Sequence, residues 1–192
     1  MITRDEFNAF SRLVLDLHRR WHQYCALYAG DDVAAKLALM NETAPTFFAW
    51  DRDVWLDGIF LSISRLMDRP TIANKKTLGL DGILERVDEP LKSKLNPLVQ
   101  EAKAIHNRGM KDWRNNRLSH NNWEYHLGLT SLPNVPLADV EALVLKFEQL
   151  INIISLELYD ETGGYAELEV RKGADALLAV LGQWKNLASD HF

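Results

Sequence analysis

Residues 3–28 read TRDEFNAFSRLVLDLHRRWHQYCALY. Within them Phe7, Phe10, Val14, Leu17, Trp21, Tyr24 and Tyr28 recur at alternating steps of three and four. That spacing follows the α-helical turn and lays one apolar seam along a helix of about 25 residues. Thr3-Arg4-Asp5-Glu6 forms a capping box in front of it, with Thr3 as N-cap and Glu6 reaching back. Gly30 is placed to end the helix. The seam is expected to be core; its regular heptad also suits a lengthwise contact with a helix of a second subunit.

The same period recurs along most of the chain. Asp31 or Asp32 starts a shorter helix with Val33, Leu37 and Met40 on one face, and Ala44-Pro45 interrupts it, because the residue before a proline avoids helical geometry. A third helix is predicted from about Thr46 to Met67, rich in Phe47, Phe48, Trp50, Val54, Trp55, Ile59 and Leu66, with Asp51, Asp53 and Asp57 as its wet face. Asp68-Arg69-Pro70 stops it, and polar Thr71 to Lys76 reads as a mobile surface loop. Leu78 to Val87 is a short helix with Leu80, Ile83, Leu84 and Val87 inward. Pro90 and Pro97 both read as first-turn prolines, the second capped by Asn96. From Pro97 one helix is expected to run to about Ser119, with Leu98, Ala102, Ile105 and Trp113 buried and Gly109 at a close contact or bend. Trp123 to Pro136 is loop, with Tyr125 and His126 its notable members. Leu137 to Glu161 carries the clearest stripe: Val140, Leu143, Val144, Phe147, Leu150, Ile151, Ile154 and Leu158. Gly163-Gly164 ends it, and a last helix from about Gly173 to Ala188 carries Leu177, Leu178, Leu181, Trp184 and Leu187. With no alternating strand pattern and no repeat, the expectation is an all-α bundle of about six helices in one domain, 1–192.

Composition excludes several classes. At 192 residues, 47% hydrophobic and 26% charged, the chain has the make-up of a globular domain with a real core. No apolar run approaches the roughly 20 residues that span a bilayer, so no membrane partner is expected. Met-Ile-Thr-Arg-Asp-Glu at the start lacks the apolar core of a signal peptide, and the single Cys25 forms no internal disulfide. The reading is a cytoplasmic protein with Cys25 as a buried structural thiol. A net charge of -5 argues against broad coating of nucleic acid. Between Lys103 and Arg117, however, Lys103, Arg108, Lys111, Arg114 and Arg117 face the single acid Asp112, a basic stripe fit for a focused anion site.

Chemistry concentrates where that stripe ends, in Trp113-Arg114-Asn115-Asn116-Arg117-Leu118-Ser119-His120-Asn121-Asn122. An arginine carries charge that cannot be titrated away, and a histidine moves protons near neutral pH. Arg114 and His120, with Asn115 between them, make a plausible phosphate-handling set. A separation of six residues puts Arg114 and His120 about 120° apart on an ideal helix, so the helix must fray or both must line a groove. Arg117 is the nearer neighbour of His120. Spacing alone is a loose signal: Arg12 and His18 repeat it in mid-helix among apolar residues. His18 and His22 have the four-residue spacing of metal ligands, but no third ligand joins them and Arg19 and Arg20 lie beside them, so no metal site is expected. There is no phosphate-cradling glycine loop, no Cys/His zinc set and no Ser-His-Asp signature, and no cofactor is expected.

The segment Arg114-Asn115-Asn116-Arg117-Leu118-Ser119-His120 resembles the Arg-polar-x(3–5)-His signature of HEPN domains. Ser64-Arg65-Leu66-Met67-Asp68-Arg69, followed by a polar stretch and the leucine-rich Leu78 to Leu84, is similar to the abortive-infection U-type members. The likeness covers about residues 45 to 160. Ser119 departs mildly from the family, in which a small apolar residue commonly precedes the histidine. The resemblance implies a helical domain that forms a homodimer and brings two Arg-His motifs to one cleft. It further implies a metal-independent endoribonuclease of phage-defence or toxin-antitoxin systems, with RNA or a nucleotide as ligand and a nucleotidyltransferase-like antitoxin as a possible partner. In that reading Arg114, His120 and Asn115 are catalytic, Arg117 and Arg65 bind substrate, and the products end in 2′,3′-cyclic phosphates. The alternatives are a HEPN domain that binds nucleotide or RNA without turnover, or a structural one in which His120 only caps a helix C-terminus.

Overall fold

The computed structural model describes residues 1–118, 122–161 and 172–189. Among them six helices have eleven residues or more: α1 (Arg4–Tyr28), α2 (Val33–Thr43), α3 (Pro45–Leu66), α5 (Glu89–His106), α8 (Leu137–Tyr159) and α9 (Lys172–Ser189). Three short helices, α4 (Leu80–Leu84), α6 (Met110–Trp113) and α7 (Trp123–His126), lie between them. The fold is all-α, as expected from the periodicity. Strand is confined to a two-residue ribbon in which β1 (Thr71–Ile72) pairs antiparallel with β2 (Lys75–Lys76). Contacts group the chain into two compact units, one of Met1–Leu17 with Phe60–Ala166, the other of His18–Ile59 with Glu167–Phe192.

The first unit is built on α5 and α8. Leu91, Leu95, Val99 and Ala102 of α5 are buried, as are Val140, Leu143, Val144, Phe147, Leu150, Ile151 and Ile154 of α8. Three ion pairs cross this seam, Lys94–Glu157 at 2.5 Å, Lys146–Glu101, and Arg108–Asp139 at 2.9 Å. Partners rise in number along α5 as they fall along α8, which makes the two helices antiparallel. Such surface pairs add little stability, and apolar burial carries the seam. Phe7, Phe10, Val14 and Leu17 of α1 belong to the same unit and are buried. Their helix begins with the capping box read from sequence: the Thr3 N–H donates to Glu6 at 3.0 Å, and the Glu6 N–H donates to Thr3 Oγ1 at 3.2 Å. The bond from the Thr3 backbone holds the Glu6 carboxyl below its ordinary pKa.

In the second unit Trp21, Tyr24 and Tyr28 complete the α1 seam as a buried aromatic ladder, with ring centroids 5.8 and 5.4 Å apart. The Tyr28 hydroxyl donates to Asp51 at 2.6 Å, and burial pushes its pKa up. Cys25 is half-buried rather than sealed in the core. The apolar residues of α3 divide sharply: Phe48 is buried, while Phe47 and Trp50 are 63% and 78% exposed. Of the stripe expected to bury α9, Leu177 and Trp184 are exposed and Leu178 and Leu181 half-buried; outside it, Val180 is exposed and Ala174 buried.

Several expected boundaries differ from the structure. Pro97 does not start a helix. It lies inside α5, which begins eight residues earlier, where the Asp88 carboxylate accepts the Leu91 N–H at 3.1 Å. Burial of Leu91, Leu95, Val99 and Ala102 on both sides of the proline outweighs the backbone bond it removes. The helix does not run on to residue 119 either. It ends at His106, and after Gly109 the chain restarts as α6, then widens into a π-turn from Arg114 to Leu118. A Cβ on Gly109 would stand 3.2 Å from both Pro133 and Val135, and the Trp113 indole N–H donates to the Pro133 carbonyl at 2.8 Å. The loop 71–76 is the β1–β2 hairpin, turned by Ala73 and Asn74 at positive φ (49° and 64°). Asp160, left-handed at φ 53°, caps α8, whereas Gly163-Gly164 lies outside the described residues.

Truncating the seam separates its two contributions. Phe147→Ala is expected to cost about 3–5 kcal/mol by cavity formation, and Lys146→Ala less than about 1 kcal/mol. Urea denaturation of the two variants measures both, and an equal loss would show that the ion pairs, not the apolar stripe, hold the helices.

Candidate functional site

Arg114 opens the π-turn, where the ladder of backbone bonds loosens from four-residue to five-residue spacing, a feature frequent at functional sites. Its Nη2 donates to the Asp68 carboxylate at 2.6 Å. Asp68 lies just past α3, and Gly79 lets two backbone segments meet there: a Cβ on residue 79 would stand 2.7 Å from the Asp68 carbonyl. The carboxylate takes one donor of a planar five-donor fork and sets its orientation, leaving other N–H groups able to meet a phosphate.

Beside this pair is a cleft of about 470 Å³ lined by residues from α3, the hairpin, α5, α6 and the π-turn. Its cations are Arg69, Lys103, Lys111 and Arg114, and its one acid is Asp68. Lys103 is also held by Asp81, which lies outside the lining, at 2.6 Å. In a chain of net charge -5 this is a concentration of positive charge, of the kind that favours anions. Asn115 is exposed and lines the cleft beside Arg114.

At the buried side of the cleft is a histidine missed by the sequence reading. His106, the last residue of α5, is only 7% exposed, and its Nε2 lies 3.4 Å from the hydroxyl of Ser64, which is 1% exposed. Burial first, and then the charges of Arg114 and Lys111, bring its pKa down to about 4. The imidazole is therefore neutral at physiological pH and offers one donor and one acceptor. Its signal was present in the sequence: with α5 starting at Glu89, the stripe Leu91, Leu95, Val99 and Ala102 continues to His106. Taking Pro97 as the first turn shifted the expected face to Leu98 and Ile105, both only half-buried.

The other anticipated residues lie elsewhere. Arg117 packs its guanidinium over the Trp113 ring, 5.1 Å from the centroid, and Arg65 is exposed on α3; neither lines the cleft. His120 lies outside the described residues, with Ser119 and Asn121. Asn122, read as a stop signal, is instead the N-cap of α7, its side chain accepting the Tyr125 N–H at 3.1 Å and donating to Asn116 at 3.0 Å. His126 is in that one-turn helix rather than in loop. His18 and His22 have ring centroids 5.8 Å apart. Among the described residues no group of three or more His, Cys, Asp or Glu is placed to hold a metal ion, and no helix is long and apolar enough to cross a membrane.

The buried imidazole links folding to pH. Unfolded, it binds a proton below about pH 6.5; folded, it does so only near pH 4. Its contribution to stability is complete above about pH 6.5 and is lost as the pH falls towards 4, by up to ~3 kcal/mol. His106→Gln should flatten this part of the profile in chemical denaturation at pH 7 and pH 4.5. An unchanged slope would place the acid sensitivity in other groups.

The model of the AbiU2 HEPN domain matches residues 3–177. No curated protein and no solved structure matches the chain. The matched range takes in the Arg114–Asp68 pair, the cationic cleft and the whole Arg-His segment, and it extends over most of both compact units. On that match the chain belongs to the AbiU2 family of abortive-infection HEPN domains.

Proposed function

We propose that this chain, as one HEPN-like domain over 1–192, is a cytoplasmic, metal-independent endoribonuclease of a phage-defence or toxin-antitoxin system. The supporting observation is the setting of Arg114: a guanidinium oriented by Asp68 at the edge of a cleft with four cations and one acid. In this reading Arg114 binds the scissile phosphate and stabilises the extra negative charge of the phosphorane. Asn115 orients the phosphate or the attacking hydroxyl. His120 takes the proton of the 2′-hydroxyl or protonates the departing 5′-oxygen, a role suited to its ordinary pKa of about 6.5. The 2′-oxygen bonds to phosphorus as the bond to the 5′-oxygen breaks, leaving a 2′,3′-cyclic phosphate. A homodimer would bring two such motifs together, so that one histidine serves as base and the other as acid. Arg117 and Arg65 hold the RNA backbone outside the cleft, and a nucleotidyltransferase-like antitoxin is the expected partner.

A second reading, binding of RNA or nucleotide without turnover, draws on Arg69, Lys103 and Lys111, cations that hold an anion without any proton transfer. Incubation with single-stranded RNA in the presence of a chelator separates the two. Cleavage to 2′,3′-cyclic ends is expected, with Arg114→Ala and His120→Ala each slowing it by about 10²-fold or more. Binding without cleavage selects the second reading, and cleavage that persists in both variants or requires Mg²⁺ removes the proposed chemistry.

A further inference from the structure

His106 has no part in the mechanism proposed above, yet it borders the same cleft and is the imidazole that the described residues place there. The Ser64 hydroxyl lies 3.4 Å from its Nε2, and the charged groups that line the cleft with it are Asp68 just past α3, Arg69 beside it, Lys103 one turn earlier on α5, Lys111 on α6 and Arg114 on the π-turn. Asp68 is paired with Arg114, and Lys103 with Asp81. Arg114 and Lys111 oppose a proton on the imidazole, which would add to a cleft that already holds four cations against one acid. Its other surroundings favour the charged form. His106 ends α5, where the helix dipole is negative, and the Ser64 oxygen can accept from an imidazolium N–H.

We infer that occupation of this cleft by a phosphodiester is coupled to proton uptake at His106, so that the buried imidazole becomes an additional anion-binding group as the pH falls. A phosphate between Arg114 and Lys111 offsets two charges that oppose the proton, and adds a negative charge that attracts it. Proton and anion then strengthen each other's binding by the same factor. The coupling makes His106 a pH-dependent regulator of affinity at the site, distinct from the proton transfer assigned to His120. It rests on the reading of the cleft as a phosphodiester site.

The probe is the dinucleotide TpT, a phosphodiester with no 2′-hydroxyl to react and no group of its own titrating between pH 4 and 8. The His106 ring, assigned through its bonds to the backbone, is followed by proton NMR from pH 4 to 8 with and without TpT. Its titration midpoint is expected to rise by about one unit or more on saturation. With a one-unit rise from about 4, TpT should also bind about two-fold more tightly at pH 5 than at pH 7 in the wild type, and His106→Gln should lose that gain. Lys111→Ala, at an exposed position, should raise the midpoint of the free protein and shrink the shift, which keeps the test decisive even if His106→Gln does not fold. A midpoint that TpT leaves in place overturns the coupling while the phosphodiester site stands. Failure of TpT to bind at either pH overturns both.

Discussion

Everything near the candidate site depends on the apolar seam between α5 and α8. Leu91, Leu95, Val99 and Ala102 pack on one side and the long stripe from Val140 to Ile154 on the other, with ion pairs at the margins between antiparallel helices. His106 is the last residue of α5 and lines the cleft. The segment with Pro133 and Val135 comes close to Gly109, at the point where the chain restarts as α6 before the π-turn that carries Arg114.

Electrostatics in the cleft show a balance between holding cations and leaving them available. Asp68 fixes Arg114, and Asp81 restrains Lys103 from outside the lining. Each carboxylate orients a cation without cancelling the local excess of positive charge, because Arg69 and Lys111 add to it. Net charge for the whole chain is negative, so the cleft is a local positive excess in an acidic protein. The neutral His106 belongs to the same balance: burial and neighbouring cations remove its charge in the free protein.

Membership of the AbiU2 family ties this arrangement to abortive-infection HEPN domains, and the match over residues 3–177 embraces nearly all of the helices described. Within that frame the geometry adds residues that the Arg-His signature does not include. Asp68 lies 46 positions before Arg114, and Ser64 lies 42 before His106. Outside the cleft, the exposed Phe47, Trp50, Leu177 and Trp184 show that two helices keep apolar residues at the surface of the second unit.

Periodicity alone determined the all-α class, the capping box at Thr3 and Glu6, and the buried seam from Phe7 to Tyr28, because each depends on neighbours within one or two turns. The stripe of α8 was legible for the same reason, and the charge count already marked the stretch containing Lys103, Lys111 and Arg114 as basic. Where propensity and packing compete, local rules misled: a proline normally opens a helix, but in α5 burial on both sides of Pro97 carried the helix through it. That one displacement moved the expected buried face by a residue and hid His106. The π-turn, the Arg114–Asp68 pair and the Ser64–His106 contact were decided by tertiary structure alone. The pair and the contact join segments more than forty residues apart, and no local spacing records which segments a folded core will bring within hydrogen-bonding distance.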